Sequence, residues 1–443
     1  MTLASPFQKH RANLTFGHLV DDFREMARQF PDKRTGQNTI YRIEDVALGA
    51  FSVFFTQSPS FLAHQTAMAE TKSKNNAHTL FGIQHIPTDN HIRDLLDAVP
   101  PQRVFPMFDR VIKALDELGQ LQAFHVLDDQ LLIALDGTQY HSSHTIHCNH
   151  CSVKHHRNGN TNYSHTVVTP VIVSPLLRRI LPLAPEFVTP QDGHKKQDCE
   201  TAAAKRWIDR QSELCWGRKV TLLGDDLYSR QPLCEHAIRA GLNFIFVCKP
   251  QSHITLTDAL DGMAVDTLTI ERRKGKRRET DTYRFASQLP IREGDNALHV
   301  NWCELTTTDA DGKALYHNAF ISNHRLSADN VVDIVQAGRA RWKVENENNN
   351  TLKTKGYHLT HNFGHGKNNL STLLASLNLL AFLFHNVLDM MDTKYQLIRA
   401  KLPSRKIFFQ HLQALTCYLC FDHFDALLDF MMRGLEIDYT DTG

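Results

Sequence analysis

Apolar positions along the chain change period three times. Residues 1–124 are spaced for helices. In His18–Phe30 the residues Leu19, Val20, Phe23, Met26 and Phe30 fall on one face of a 3.6-residue turn. Further helices are predicted near Glu44–Thr56 and over Arg103–Gly119, the second stopped by its glycine. Between them, Asn75–Asp97 carries a Pro-Thr-Asp turn and then a short helix. At His125–Tyr140 the period breaks. Leu131–Leu135 is an unbroken apolar run with Asp-Asp before it and Asp-Gly after, the pattern of a buried strand entering a turn. The β-branched segment His165–Pro175 is its expected partner strand. A helix (Cys199–Gln211), a strand ending at paired aspartates (Lys219–Ser229), a helix (Leu233–Gly241) and a strand (Leu242–Pro250) come next. That order predicts an α/β fold whose mixed sheet has a parallel portion. Residues 252–325 alternate in short segments with Asp-Gly and Gly-Asp turns, a β-rich insertion. A long helix over Asn330–Lys353, capped by Ser327, succeeds it. From Leu370 the chain is apolar and helical.

Composition narrows the class. Hydrophobic residues make up 42% of the 443, enough for packed cores and too many for a disordered chain. Lys and Arg (49) balance Asp and Glu (48), so a nucleic-acid partner must be met by local basic clusters. The most apolar stretch, Leu373–Met391, is interrupted by Asn378, His385, Asn386 and Asp389, and is expected to be a buried helix with no membrane as partner. The first residues lack the apolar run of a secretion signal, and nine cysteines do not make a secreted disulfide framework at this length. A reducing, cytoplasmic compartment is expected.

Three carboxylates stand out by position. Asp136 ends a strand in LLIALDGT, Asp225 ends another in VTLLGDDLYS, and Glu345 lies on a helix in RARWKVENEN. Strand-end carboxylates face the crevice where open α/β sheets bind ligands. Brought together, they suit two hard divalent cations, Mg²⁺ or Mn²⁺, which clamp the attacking and leaving oxygens of a displacement at phosphorus. Each of the two aspartate segments alone is also an ordinary turn. Arg341 precedes Glu345 by four residues and shares its helix face.

These segments resemble bacterial insertion-sequence DDE transposases with a β-rich insertion before the glutamate helix. ALDGTQYHSS resembles the first-aspartate strand, GDDLYSRQP the second, and RWKVENENNNTLKTKGYHLTHNFGHG the glutamate helix and the segment after it. The resemblance extends to SKNNAHTLFGIQHIPTDNHIRDLLD in the N-terminal part. Family members often read Asp-x-x-Tyr at the second aspartate, which selects Asp225 over Asp226 because Asp225 precedes Tyr228 by three. The resemblance implies a ribonuclease H-like core over 125–251 and 326–443, an N-terminal helical DNA-binding or assembly region over 1–124, and the insertion over 252–325. It implies cleavage at transposon ends, 3′-OH strand transfer into double-stranded target DNA, a homodimer in the synaptic complex, and a nucleoid-associated protein when on DNA. Relatives often carry Tyr, Arg, Glu and Lys at fixed spacing. Here Gly338 stands at the tyrosine position and Lys353 comes one residue late, which argues against a hairpin-forming cleavage that uses that tyrosine.

Between the first two core strands, residues 144–165 hold the densest set of soft ligands. Cys148 and Cys151 have C-x2-C spacing, His156 follows at C-x4-H and His165 nine residues later, a set suited to a structural Zn²⁺. His155 competes with His156 for the third place. Cys417 and Cys420 sit among helically spaced apolar residues and are expected in the core.

Two basic clusters are candidates for DNA. Arg272, Arg273, Lys274, Lys276, Arg277 and Arg278 surround Gly275 as at a hairpin tip, and Arg339, Arg341, Lys343, Lys353 and Lys355 flank Glu345. Two other functions fit the same residues. One is a ribonuclease H-like nuclease that cuts without joining. The other is an inactive, zinc-stabilised DNA-binding relative.

Overall fold

The computed structural model describes residues 14–36, 40–69, 75–190, 198–211, 218–275 and 277–438. Lys276 of the basic run and the first 13 residues lie outside them. The strands, in chain order, are β1 (Gln130–Ala134), β2 (Gly137–Ser143), β3 (Ser152–His155), β4 (Thr161–Val168), β5 (Val171–Val173), β6 (Leu181–Pro182), β7 (Glu186–Phe187), β8 (Lys219–Gly224), β9 (Asn243–Val247), β10 (Asp266–Lys274), β11 (Arg277–Pro290), β12 (His299–Asp309) and β13 (Ala314–Ser322).

β1 is buried throughout, which is why its residues run apolar without alternation. It pairs antiparallel with β5 on one side and parallel with β8 on the other, and β8 pairs parallel with β9. The whole is a nine-stranded mixed sheet in the order β10-β11-β12-β13-β9-β8-β1-β5-β6. Of the expected partner strand His165–Pro175, only Val171–Val173 pairs with β1. The first part of the expected strand, His165–Val168, instead belongs to β4, in a second, four-stranded sheet made of β2, β4, β3 and β7. β2, β3 and β4 of that small sheet form an insert that leaves the core after Asp136 and returns at Thr169, and β7 joins its edge from later in the chain.

The strands of the region 252–325 do not form a sheet of their own. After a helix over Ile254–Asp261, β10–β13 continue the core sheet through β13 against β9 (Phe320↔Val247). The reason is register. β9 is an edge until β13 covers it, and Phe320, Ile321 and Ser322 are buried there. Running antiparallel, β13 extends six residues past Val247, so the β12–β13 and β10–β11 turns project on the order of 20 Å beyond the edge where β1 and β8 end.

The glutamate helix is not continuous. It runs Val331–Arg339, turns at Ala340–Arg341, passes through a π-helical stretch over Val344–Asn349 and ends as Asn350–Thr354. Asn330 rather than Ser327 is the N-cap; Ser327 supplies its carbonyl to the Val331 N–H at 3.0 Å. Gly338 presses this helix onto the sheet: a Cβ there would meet Ile245 and Phe320 at 2.9 Å. A larger residue there must displace the Ile245 and Phe320 side chains or lift the helix from the sheet.

Helix Leu370–Met391 has the length and hydropathy of a membrane span, but its most apolar window is wholly buried inside the protein. Helices from both chain ends surround it. Phe51 of helix Ile43–Phe55 meets Phe384 at 5.2 Å, and Phe16 meets Phe424 at 4.2 Å. The N-terminal and C-terminal helices therefore share one core, where each buried Leu or Phe contributes about 1.5–3 kcal/mol.

Candidate functional site

The parallel register aligns Ala134 with Leu223, so Asp136 and Asp225 lie side by side, two residues beyond that pair, at the carboxyl ends of neighbouring strands. Glu345 approaches from the π-helical stretch. Arg341 Nη1 donates to Glu345 Oε1 at 2.5 Å, as four-residue spacing requires. Burial and the nearby charges of Glu200, Glu345 and Asp225 push the Asp136 carboxyl up to about 7. Asp225 and Glu345 thus lie close enough for their charges to act on Asp136. Asp226 makes other contacts: its Oδ1 accepts from the Lys249 N–H at 2.7 Å and faces His253 at 3.8 Å.

Two members of the crevice had no signal in the sequence. Glu200 opens helix Glu200–Arg210, and its Oε1 accepts from the Gly137 N–H at 2.9 Å and from the Tyr228 hydroxyl at 2.7 Å. This explains two motifs. Gly137, which follows Asp136 as if in a turn, is already in β2; a Cβ there would lie 2.2 Å from the Glu200 carboxyl. Tyr228, three residues after Asp225, is the other donor to Glu200. Burial raises the Glu200 carboxyl above its usual range. The second newcomer is Asn349, at the end of the π-helical stretch. Its Nδ2 donates to Asp136 Oδ2 at 2.7 Å, and its Oδ1 accepts from Thr169 Oγ1 at 2.8 Å.

Lys353 faces the same crevice. Burial lowers its ammonium, opposed by the Asp136 charge. Lys343 does not, because its Nζ is buried against the carbonyls of Ser174 and Leu177. Arg339 lies over the Tyr316 ring, 4.3 Å from its centre, beside the exposed Trp342. Lys355 follows helix Asn350–Thr354 and is exposed. At the β10–β11 tip, Lys274 pairs with Arg277 across Gly275, whose φ is +63°. Arg272 is ion-paired with the buried Asp281, Arg278 lies 3.7 Å from Glu271, and Arg273 is opposite Arg278.

The soft-ligand cluster forms, with one correction. Cys148, Cys151 and His165 converge, but His156 is on the exposed β3–β4 turn, and His155 is exposed at the end of β3. The fourth member is His365, 214 residues beyond Cys151. Ligand atoms of all four lie within 4.8 Å of one another. Cys148 Sγ and Cys151 Sγ are 3.9 Å apart, and the sulfur–Nε2 separations are 3.3–3.4 Å for His165 and 3.3 Å from Cys151 to His365. A tetrahedral zinc with Zn–S about 2.3 Å and Zn–N about 2.0 Å places two sulfurs about 3.8 Å apart and sulfur and nitrogen about 3.5 Å apart. The cluster therefore can hold a metal such as zinc. Contact with Cys148 lowers the Cys151 thiol to about 7, towards the thiolate a metal needs. Among the described residues this is the one group of three or more potential ligands so close together; the carboxylates are spaced more widely. Cys417 is exposed and Cys420 half-buried, so that pair is not in the core as expected.

No protein-family model and no curated protein matches the chain.

Proposed function

We propose that this chain is a DDE-type DNA transposase on a ribonuclease H-like core, cleaving transposon ends and joining the 3′-OH to double-stranded target DNA. What supports the reading is that Asp136 and Asp225 follow the ends of neighbouring parallel strands and that the charge of Glu345 reaches Asp136. The oxygen-only donor set fits Mg²⁺ or Mn²⁺. Such ions supply charge neutralisation at the attacking and leaving oxygens of an in-line displacement. The protein's own groups orient the site. Asn349 fixes the Asp136 carboxyl, Glu200 holds the Gly137 amide beside it, and Arg341 and Lys353 offer cations to a phosphate. The two turns projecting beyond the carboxylate edge, with Arg273 and Arg278 at one of them, supply the reach to a DNA backbone. In the Cys148, Cys151, His165 and His365 set we propose zinc in a structural role, since four protein ligands leave no open position.

The deciding experiment pairs Glu345→Gln with a strand-transfer assay on paired ends. The variant keeps DNA binding and loses strand cleavage; full cleavage by it rules out the assignment. Wild-type protein that cuts but never joins is a nuclease. Protein that binds DNA and cuts nothing with Mg²⁺ or Mn²⁺ is an inactive relative.

A further inference from the structure

We infer that the Cys148, Cys151, His165 and His365 site is a metal clamp that fastens three separate parts of the chain to one another: the insert, the N-terminal helices and the long central helix. The inference rests on the zinc reading of that site and is independent of the chemistry proposed for the carboxylates.

The three parts meet at Phe363–Leu370, the loop that leads into helix Leu370–Met391. From the N-terminal side, Arg93 Nε donates to the Phe363 carbonyl at 2.9 Å. Asp97 accepts from the N–H groups of Lys367 (3.1 Å), Asn368 (3.0 Å) and Leu370 (3.0 Å). From the insert, His150 Nδ1 lies 2.9 Å from the Asn368 carbonyl and the Asn149 N–H donates to Lys367 O at 3.4 Å. His365 is in the middle, turned inward by glycines on both sides. Gly366 has φ +67°, and a Cβ there would fall 2.2 Å from Asp97 Oδ1. The loop is shaped to place one imidazole among three ligands carried by the insert.

Hydrogen bonds between this loop and the insert are few; elsewhere the insert is held where β4 pairs with β7 (Val167↔Phe187), where the Tyr140 ring meets Phe187 at 6.1 Å, and at its two ends. At one end it leaves the core beside Asp136; at the other, the Thr169 N–H donates to the Asp136 carbonyl at 2.9 Å. Cys148, Cys151, His165 and His365 are at most 9% exposed. Burying two thiols and two imidazoles in mutual contact without strong donors is unfavourable, and an ion that coordinates all four removes that cost. The clamp also explains why the fourth ligand comes from so far along the chain. A knuckle closed within residues 148–165 would stabilise only itself. A ligand at 365 ties the insert to the end of the segment that carries Glu345 and Asn349.

The test uses full-length protein. Wild type purified without added metal carries about one zinc per chain, and Co²⁺ exchanged for it gives the thiolate charge-transfer and tetrahedral ligand-field bands of a two-sulfur site. His156→Ala keeps this zinc, while His365→Ala lowers zinc affinity by more than about 100-fold, beyond the effect of removing an outer partner. Hydrogen exchange then speeds up together in residues 144–157, in 361–370 and at the end of helix Asp89–Leu96, as it does when wild type is chelated. If His365→Ala does not fold, His365→Cys restores binding with a three-sulfur Co²⁺ spectrum. Wild type that takes up neither Zn²⁺ nor Co²⁺ overturns the zinc reading itself. Zinc retained by His365→Ala, absent from His156→Ala or not bound by folded His365→Cys overturns this ligand set. Zinc released with exchange unchanged in the other two parts overturns the clamp alone.

Discussion

Asn349 Nδ2 donates to Asp136 Oδ2 at 2.7 Å, joining residues 213 apart in the chain. The bond fixes the rotation of a carboxyl otherwise free to turn in the crevice. Asn349 is the last residue of the π-helical stretch Val344–Asn349, a local geometry often found at functional sites. Asn349→Ala should lower DNA cleavage about 10- to 100-fold, the size of removing a partner that orients a metal ligand. DNA affinity should stay at the wild-type level, and stability should fall by no more than about 1–3 kcal/mol. Cleavage rates set beside filter binding on one substrate decide this; undiminished cleavage removes Asn349 from the site.

The raised Asp136 carboxyl sets a pH dependence. Its folded-state value of about 7 lies above its ordinary 3.8, so between these limits the folded protein keeps a proton that the unfolded chain gives up. The contribution to stability is therefore present below 3.8 and disappears as pH rises through about 7. Metal-free wild type should lose stability relative to Asp136→Asn from about pH 4 to about pH 7, measured by denaturant unfolding. Apparent Mg²⁺ or Mn²⁺ affinity should climb over the same interval, because the ions displace that proton.

Gly137 and Glu200 are a matched pair. Gly137→Ala inserts a methyl where the Glu200 carboxyl lies 2.2 Å away, so the carboxylate must leave both the Gly137 amide and the Tyr228 hydroxyl. Destabilisation of about 1–3 kcal/mol is expected. Glu200→Gln keeps an acceptor oxygen in place and should cost less, while removing the charge that contributes most among the neighbours to the Asp136 shift. The two variants, compared by thermal unfolding, should differ in that order; equal losses mean that the charge, not the close approach, is what matters.

The basic hairpin separates into structural and available arginines. Arg272 neutralises Asp281, which is 1% exposed and also accepts from Thr307 Oγ1 at 2.6 Å. Arg272→Ala should therefore cost about 1–3 kcal/mol of stability. Arg273→Ala and Arg278→Ala should leave stability within about 0.5 kcal/mol. They should flatten the salt dependence of DNA binding by about 0.9 in log–log slope for each phosphate that the protein no longer neutralises. An unchanged slope in the double variant takes the hairpin away from DNA.

Most helices and strands, and the ends of the two carboxylate strands, are legible in the residues alone. Strand β1 is legible because burial on both faces demands an unbroken apolar run, and Asp136 and Asp225 are legible because polar residues mark where such strands emerge. Arg341 and Glu345 are legible because helical spacing alone puts them together. Cys148, Cys151 and His165 are legible from the chemistry of closely spaced soft ligands. Tertiary structure decided the rest. His365 could not be found from spacing, since 214 residues separate it from Cys151, and a local rule selects His156 instead. Glu200 and Asn349 are ordinary polar residues on helices until the sheet and the π-helical stretch bring them to Asp136. The strands of 252–325 resemble a separate body in sequence because alternation reports a half-buried strand but not the sheet it joins. Period and composition are short-range quantities; which distant segments meet depends on how the whole chain closes its core.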